Sequence, residues 1–293
     1  MKLIFSLLLS YAIICSMTGQ ESFSPDPYHA EFITSDYEHF WQAFDSLDIA
    51  DSNPFEVYLK KASVGLQPMV QYIDVDIFHT TVLDRREDYT KTKGALEKLE
   101  STQKRVEASY AALEYWYPDA VYPPVFFAVG MFTVGGTISE NGLLIGAELL
   151  DGVEGLHGLI AHELIHFQQQ IHGEENLLTQ SIIEGSADFI GELISGVHVN
   201  LEAYEYGQAH EAALCREFQD IMHEQDYQDW LYGTSGKDDR PNDLGYWMGY
   251  KIVESYYAKR SNKRAAISTI LNINDTQRFL ELSGYLESCR DKE

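Results

Sequence analysis

Two histidines stand four residues apart, with a glutamate directly after the first, in the stretch His162-Glu163-Leu164-Ile165-His166. On a helix, residues four apart share one face a turn apart, so both imidazoles can reach a single ion. Zinc takes nitrogen, sulfur and carboxylate donors in a tetrahedron, and a catalytic site leaves one of its four positions to water. One protein ligand therefore remains to be found. Downstream, Ser181 to Ile194 is an apolar-periodic segment carrying Glu184 near its start and Asp188 one turn later. Glu184 is the expected third ligand. Glu163 sits beside the histidines, and a purely structural zinc site does not require it. The helix needed to carry these groups is legible: Leu156, Ile160, Leu164 and Phe167 recur at helical steps and form an apolar face next to that of His162 and His166.

The helix and the Glu184-Gly185-Ser186-Ala187-Asp188 segment, 18 residues after His166, together resemble the gluzincin group of zinc metallopeptidases. Within that group they are most similar to uncharacterised bacterial families described as predicted zinc-dependent proteases. The resemblance is local, covering about residues 143 to 257. It implies one zinc ion held by His162, His166 and Glu184, with Glu163 as base. It also implies that Asp188 orients a ligand histidine from outside, fixing its tautomer and raising its basicity. In Gly245-Tyr246-Trp247-Met248-Gly249-Tyr250, Tyr246 resembles the tyrosine that gluzincin aminopeptidases use to stabilise the transition state, with Tyr250 as the reserve. A phenol there donates a hydrogen bond to a developing oxyanion. With nineteen tyrosines in the chain, aromatic filling of the core is an equal reading of that helix.

Residues 1–19 read as a secretory signal peptide: Lys2 precedes an apolar run from Leu3 to Cys15 that is too short to be a good membrane span. Ser16 and Thr18 supply the small residues of a cleavage site. Cys15 is an alternative lipid-attachment cysteine, although Ile14 departs from the small residue usual at that position of a lipobox. Export follows from either reading. No later stretch is apolar enough to span a membrane. A formal charge of −25 opposes nucleic acid or an anionic membrane surface as partner, and an apolar content of 45% is ample for a core. In an oxidising compartment Cys215 and Cys289 are free to pair, but sequence separation alone does not decide it.

Residues 20–293 read as a single domain with a helical part over 20–120, a small sheet over 121–150 and a helical catalytic part over 151–293. Ser35 to Glu38 has the pattern of a capping box opening a helix with Phe40, Trp41, Phe44 and Leu47 on one face. Asn53-Pro54 opens a second helix through about Val64. Tyr72 to Val82 is ambiguous between strand and helix, and Tyr89 to Trp116 reads as one long helix stopped by Pro118. Val125–Val129, Phe132–Val134, Gly135–Ile138 and Leu143–Ala147 have the β-branched and aromatic content of short strands, with Gly and Asn-Gly between them. Leu143 to Glu148 is the candidate edge strand for pairing with an extended peptide. His198, His210 and His223 lack metal spacing around them and read as structural or solvent-exposed.

The expected fold is therefore mainly helical α+β, a zincin-like core with a small antiparallel sheet beside the active helix. The expected function is that of an exported zinc peptidase acting on a peptide or protein. The reading from a different class is an exported binding or assembly protein whose zinc is structural or does not turn over substrate.

Overall fold

The structure is a computed structural model describing residues 23–232 and 240–289, so the expected signal peptide and Cys15, the alternative lipid-attachment residue, lie outside the described residues. The chain enters through a two-residue strand, β1 (Phe32–Ile33), and then helix α1 (Ser35–Asp45). Ser35 is the first helical residue and not the cap. Thr34 stands in the cap position and its hydroxyl donates to Glu38 Oε1 at 2.9 Å, so the expected capping box does not form. In α2 (Phe55–Lys60) the Asn53 side chain accepts from the Phe55 amide at 3.0 Å, as its type suggests, but the helix stops well short of Val64.

After the single turn α3 (Gln67–Val70), the ambiguous segment resolves as helix α4 (Val75–Asp84). The deciding group is Asp74, whose carboxylate caps the Asp76 and Ile77 amides. The expected long helix is instead two, α5 (Arg86–Thr92) and α6 (Leu99–Trp116). Gly94 at φ 119° and Lys98 at φ 70° lie in the left-handed region, which a continuous right-handed helix does not contain.

The sheet adds β2 (Val125–Ala128), β3 (Gly136–Ser139) and β4 (Gly142–Gly146), in the order β1-β2-β4-β3. It is mixed rather than antiparallel: β2 runs parallel to both β1 and β4, and only the β3–β4 hairpin is antiparallel. The cause is a crossover from β2 to the far side of β4. Phe132 to Val134 forms no strand because it belongs to this crossover, where Phe132 has φ 59° and its amide donates to Glu148 Oε1 at 3.2 Å. Tyr89 Oη ties the same loop down by donating to the Gly130 carbonyl at 2.7 Å. The run Leu143-Leu144-Ile145 is buried on both faces, as an interior strand requires, so Leu143 to Glu148 is not an edge. The edge beside it is β3, whose residues are mostly half-buried.

Side chains alternate across the pleat. Val125, Phe127, Leu143 and Ile145 join the main core, whereas Phe126, Ala128 and Leu144 pack into a second cluster with Phe40, Phe44, Phe55, Tyr58, Phe78 and Tyr89. The early helices thus cover one face of the sheet.

On the other face lies α7 (Leu156–Gln168), followed by α8 (Leu177–Ser195), α9 (Leu201–Ala209), α10 (Glu211–Ile221), α11 (Leu244–Ala258), α12 (Lys263–Leu271), α13 (Thr276–Ser283) and α14 (Tyr285–Cys289). A disulfide between Cys215 and Cys289 joins α10 to α14. Among the described residues no helix is long and apolar enough to cross a membrane.

Helices α8 and α11 cross at backbone contact. A Cβ added to Gly249 would collide with the Ser181 carbonyl, and one added to Gly185 would strike the backbone of Gly249 and Tyr250. Because the obstacle is backbone, no rotamer change relieves it. Gly249→Ala is expected to destabilise the fold by about 3 kcal/mol, the upper end of the usual range for overpacking. Equilibrium urea denaturation of the variant against the wild-type protein measures this.

Candidate metal centre

The site forms where α7 and α8 lie side by side, with His162 and His166 one turn apart on α7 and Glu184 facing them from α8. Their donor atoms converge. His162 Nε2 and His166 Nε2 are 3.0 Å apart, and Glu184 Oε2 is 3.1 Å from His166 Nε2 and 3.6 Å from His162 Nε2. No other cluster of three such donors occurs among the described residues. The crossing of α7 and α8 leaves no room for bulk: Gly191 lies against the His162 backbone, and Gly185, next to Glu184, is pressed by α11.

The groups behind the imidazoles decide what the front atoms can do. Asp188 Oδ1 is 2.7 Å from His162 Nδ1, and Asn200 donates to the other Asp188 oxygen at 2.7 Å. Gln169 Oε1 is 2.9 Å from His166 Nδ1, while the Gln169 amide nitrogen donates to the Ile183 carbonyl and to Ser186 Oγ, both at 2.8 Å. Both outer partners present oxygen, so each Nδ1 carries the proton and each Nε2 presents a lone pair. In that neutral state two lone pairs and a carboxylate meet in a buried cleft. Such a set requires a cation, and two imidazoles with one carboxylate form a donor set that suits zinc.

Protons are the alternative occupants. Burial alone would lower the pKa of His162, yet the hydrogen-bonded Asp188 and Glu184 carboxylates raise it well above the usual value. His166 is likewise raised, against its burial, by Glu184. Glu184 is held far below the ordinary carboxylate range: burial opposes its charge, and His166 and His162 outweigh that opposition. Metal binding must therefore displace protons, so affinity falls with falling pH.

Glu163 is 5% exposed, and burial raises its pKa, with the histidines partly offsetting the shift. It points toward β3, where a Cβ added at Gly136 would meet the Glu163 carboxylate and push it aside. Tyr246, on the first turn of α11, stacks on His162 with ring centroids 6.1 Å apart. Tyr250, the reserve phenol, is engaged elsewhere: it donates to Glu192 Oε2 at 2.8 Å and packs on His198 and Tyr204. His210 contacts the Tyr206 carbonyl through Nδ1, His223 is exposed, and neither joins the site.

Four contributors escape a reading of the sequence. Gln169 is the middle of three consecutive glutamines, of which Gln168 instead bonds the Val121 backbone, and nothing in the run distinguishes them. Asn200, Gly136 and Tyr232 come from separate segments. Tyr232 Oη reaches Glu184 Oε1 at 3.3 Å.

Residues 134–277 match the model of a family described as predicted Zn-dependent protease (DUF2268). That span runs from just before β3 into α13 and holds His162, Glu163, His166, Glu184, Asp188 and Tyr246. The description and the three-donor cluster together support zinc as the metal and a hydrolase as the class of protein. No curated protein matches the chain.

Asp188→Asn is expected to weaken zinc binding by about 10- to 100-fold, the usual effect of losing the outer partner of a ligand histidine. Competition against a chromophoric chelator measures it, and repeating the titration at lower pH should weaken binding in the wild-type protein as well.

Proposed function

We propose that this chain is an exported zinc-dependent peptidase, with one zinc ion held by His162, His166 and Glu184. The observation that carries the reading is the Glu163 carboxylate, buried directly beside the three donors and facing the edge strand β3. Zinc bound there supplies Lewis acidity that makes a water nucleophilic near neutral pH and stabilises negative charge on a carbonyl oxygen. Glu163 accepts the proton of the attacking water and returns it to the leaving amine. Burial, which raises its proton affinity, suits a group that must take a proton and hold it through the collapse of the tetrahedral species. Tyr246, held against His162, donates its hydroxyl proton as a hydrogen bond to the oxygen on which charge develops. Asp188 keeps the His162 tautomer fixed while charge moves nearby.

Strand β3 pairs with β4 on one side only, which leaves a row of backbone groups for an extended peptide to join. This gives the peptide a place beside Glu163, with β3 taking the role that sequence patterning assigns to Leu143–Glu148. A helix carrying the histidines, packed on such a sheet with the third ligand on the following helix, supports the reading of a zincin-like core. Export is supported by the signal-peptide reading of residues 1–19 and by the Cys215–Cys289 disulfide, which persists in oxidising compartments. Cys15 remains the proposed anchor point if the exported form is lipidated.

Glu163→Gln tests the reading, because it retains the shape of the side chain and removes its basicity. Zinc content by atomic emission is expected to match the wild-type protein, while cleavage of a peptide library falls by at least about 100-fold. Turnover that survives with zinc bound would remove Glu163 from the chemistry. Wild-type protein that binds zinc and cleaves no peptide would favour a binding or assembly role.

A further inference from the structure

Each imidazole of the centre has an outer partner, and so does the carboxylate. Glu184 turns Oε2 toward the two histidines, while Oε1 points away and lies 3.3 Å from Tyr232 Oη. The same phenol is 3.2 Å from Gln180 Oε1, one turn before Glu184 on α8. Its single proton thus faces two acceptors, of which the carboxylate is the stronger.

The backbone beneath the phenol is unusual. Tyr232 has φ 64°, in the left-handed region, where a residue with a bulky side chain is rarely found and is strained. A strained backbone persists where surrounding contacts over-determine it. Here they include the Glu184 and Gln180 side chains and the edge of Tyr227, whose ring centroid is 6.2 Å away. Tyr246 meets the centre differently, stacking on His162, so the two phenols are not interchangeable.

We propose that Tyr232 is a positioning residue of the metal centre: its hydroxyl donates to Glu184 Oε1 and holds the carboxylate so that only Oε2 joins His162 and His166. A carboxylate free to turn can offer both oxygens, adding a fifth donor beside the water position that a catalytic zinc site keeps open. Tyr232 therefore sets both the affinity and the number of protein donors. This rests on His162, His166 and Glu184 being the ligands, and it adds a residue 48 positions beyond Glu184 that no motif connects to them.

The test uses the full-length protein after signal removal. Zinc affinity is measured by chelator competition, and the visible absorption of the cobalt-substituted protein reports coordination number, since four-coordinate cobalt absorbs more strongly than five-coordinate. Tyr232→Phe is expected to retain the thermal transition of the metal-free wild-type protein, to bind zinc about tenfold more weakly and to show a weakened cobalt band. Gln180→Ala, which removes only the competing acceptor, is expected to bind zinc at least as tightly as the wild-type protein. Wild-type affinity and spectrum in Tyr232→Phe would overturn the proposal and leave the ligand set intact. Equal losses in Tyr232→Phe and Gln180→Ala would assign the effect to local packing and overturn it too. If the wild-type protein binds no zinc, or His166→Ala binds it undiminished, the ligand reading itself fails and takes this inference with it.

Discussion

Two imidazole nitrogens 3.0 Å apart, with a carboxylate oxygen 3.1 Å from one of them, make an arrangement that a protein interior tolerates only if a positive charge sits among them. Around it the structure is built to keep that charge requirement intact. Asp188 and Gln169 occupy the Nδ1 atoms, so the rings cannot satisfy each other by tautomer exchange. Asn200 and Ser186 in turn hold those partners, so the influence of the centre extends from α7 through α8 to the start of α9.

Such a centre needs helices that approach closely and do not slide. The contact between α8 and α11 meets this need through glycine: Gly185 and Gly249 bring backbone against backbone, beside Glu184 on one helix and Tyr246 on the other. Packing of this kind has one register, because a shift of either helix would drive a larger residue into the crossing. The same glycine that permits the crossing therefore fixes the distance from α8 to the stacked His162–Tyr246 pair. On the opposite side, the aromatic cluster around Phe40 reaches the centre indirectly. It supports Phe126 and Leu144 on the far face of the sheet, and Tyr89 from the same cluster holds the Gly130 crossover that delivers β3 to Glu163.

What could be read without coordinates was set by local physics. Helical period places His162, Glu163 and His166 on one helix, and the interval to Glu184 and Asp188 places both carboxylates one turn apart on the next. The β-branched and aromatic runs identify β2, β3 and β4, and the unbroken apolar run from Val125 to Ala128 is buried at every residue. Pattern misleads or stays undecided where one residue overrides it. Gly94 ends a helical period that would otherwise continue, and Asp74 converts an undecided stretch into a helix by capping it.

Tertiary structure alone decided the direction of β2 against β4, the edge position of β3, and the choice of Gln169 over its neighbours. It also brought Tyr232 to Glu184, across 48 residues. The reason is common to all of these. A periodicity reports which face of an element is apolar, and a metal-ligand spacing reports which side chains share that face. Neither carries information about which element, from elsewhere in the chain, comes to lie against it. That choice is made by the summed packing of the whole core, and here it is sharpened by glycine contacts whose meaning is visible only once both helices are in place.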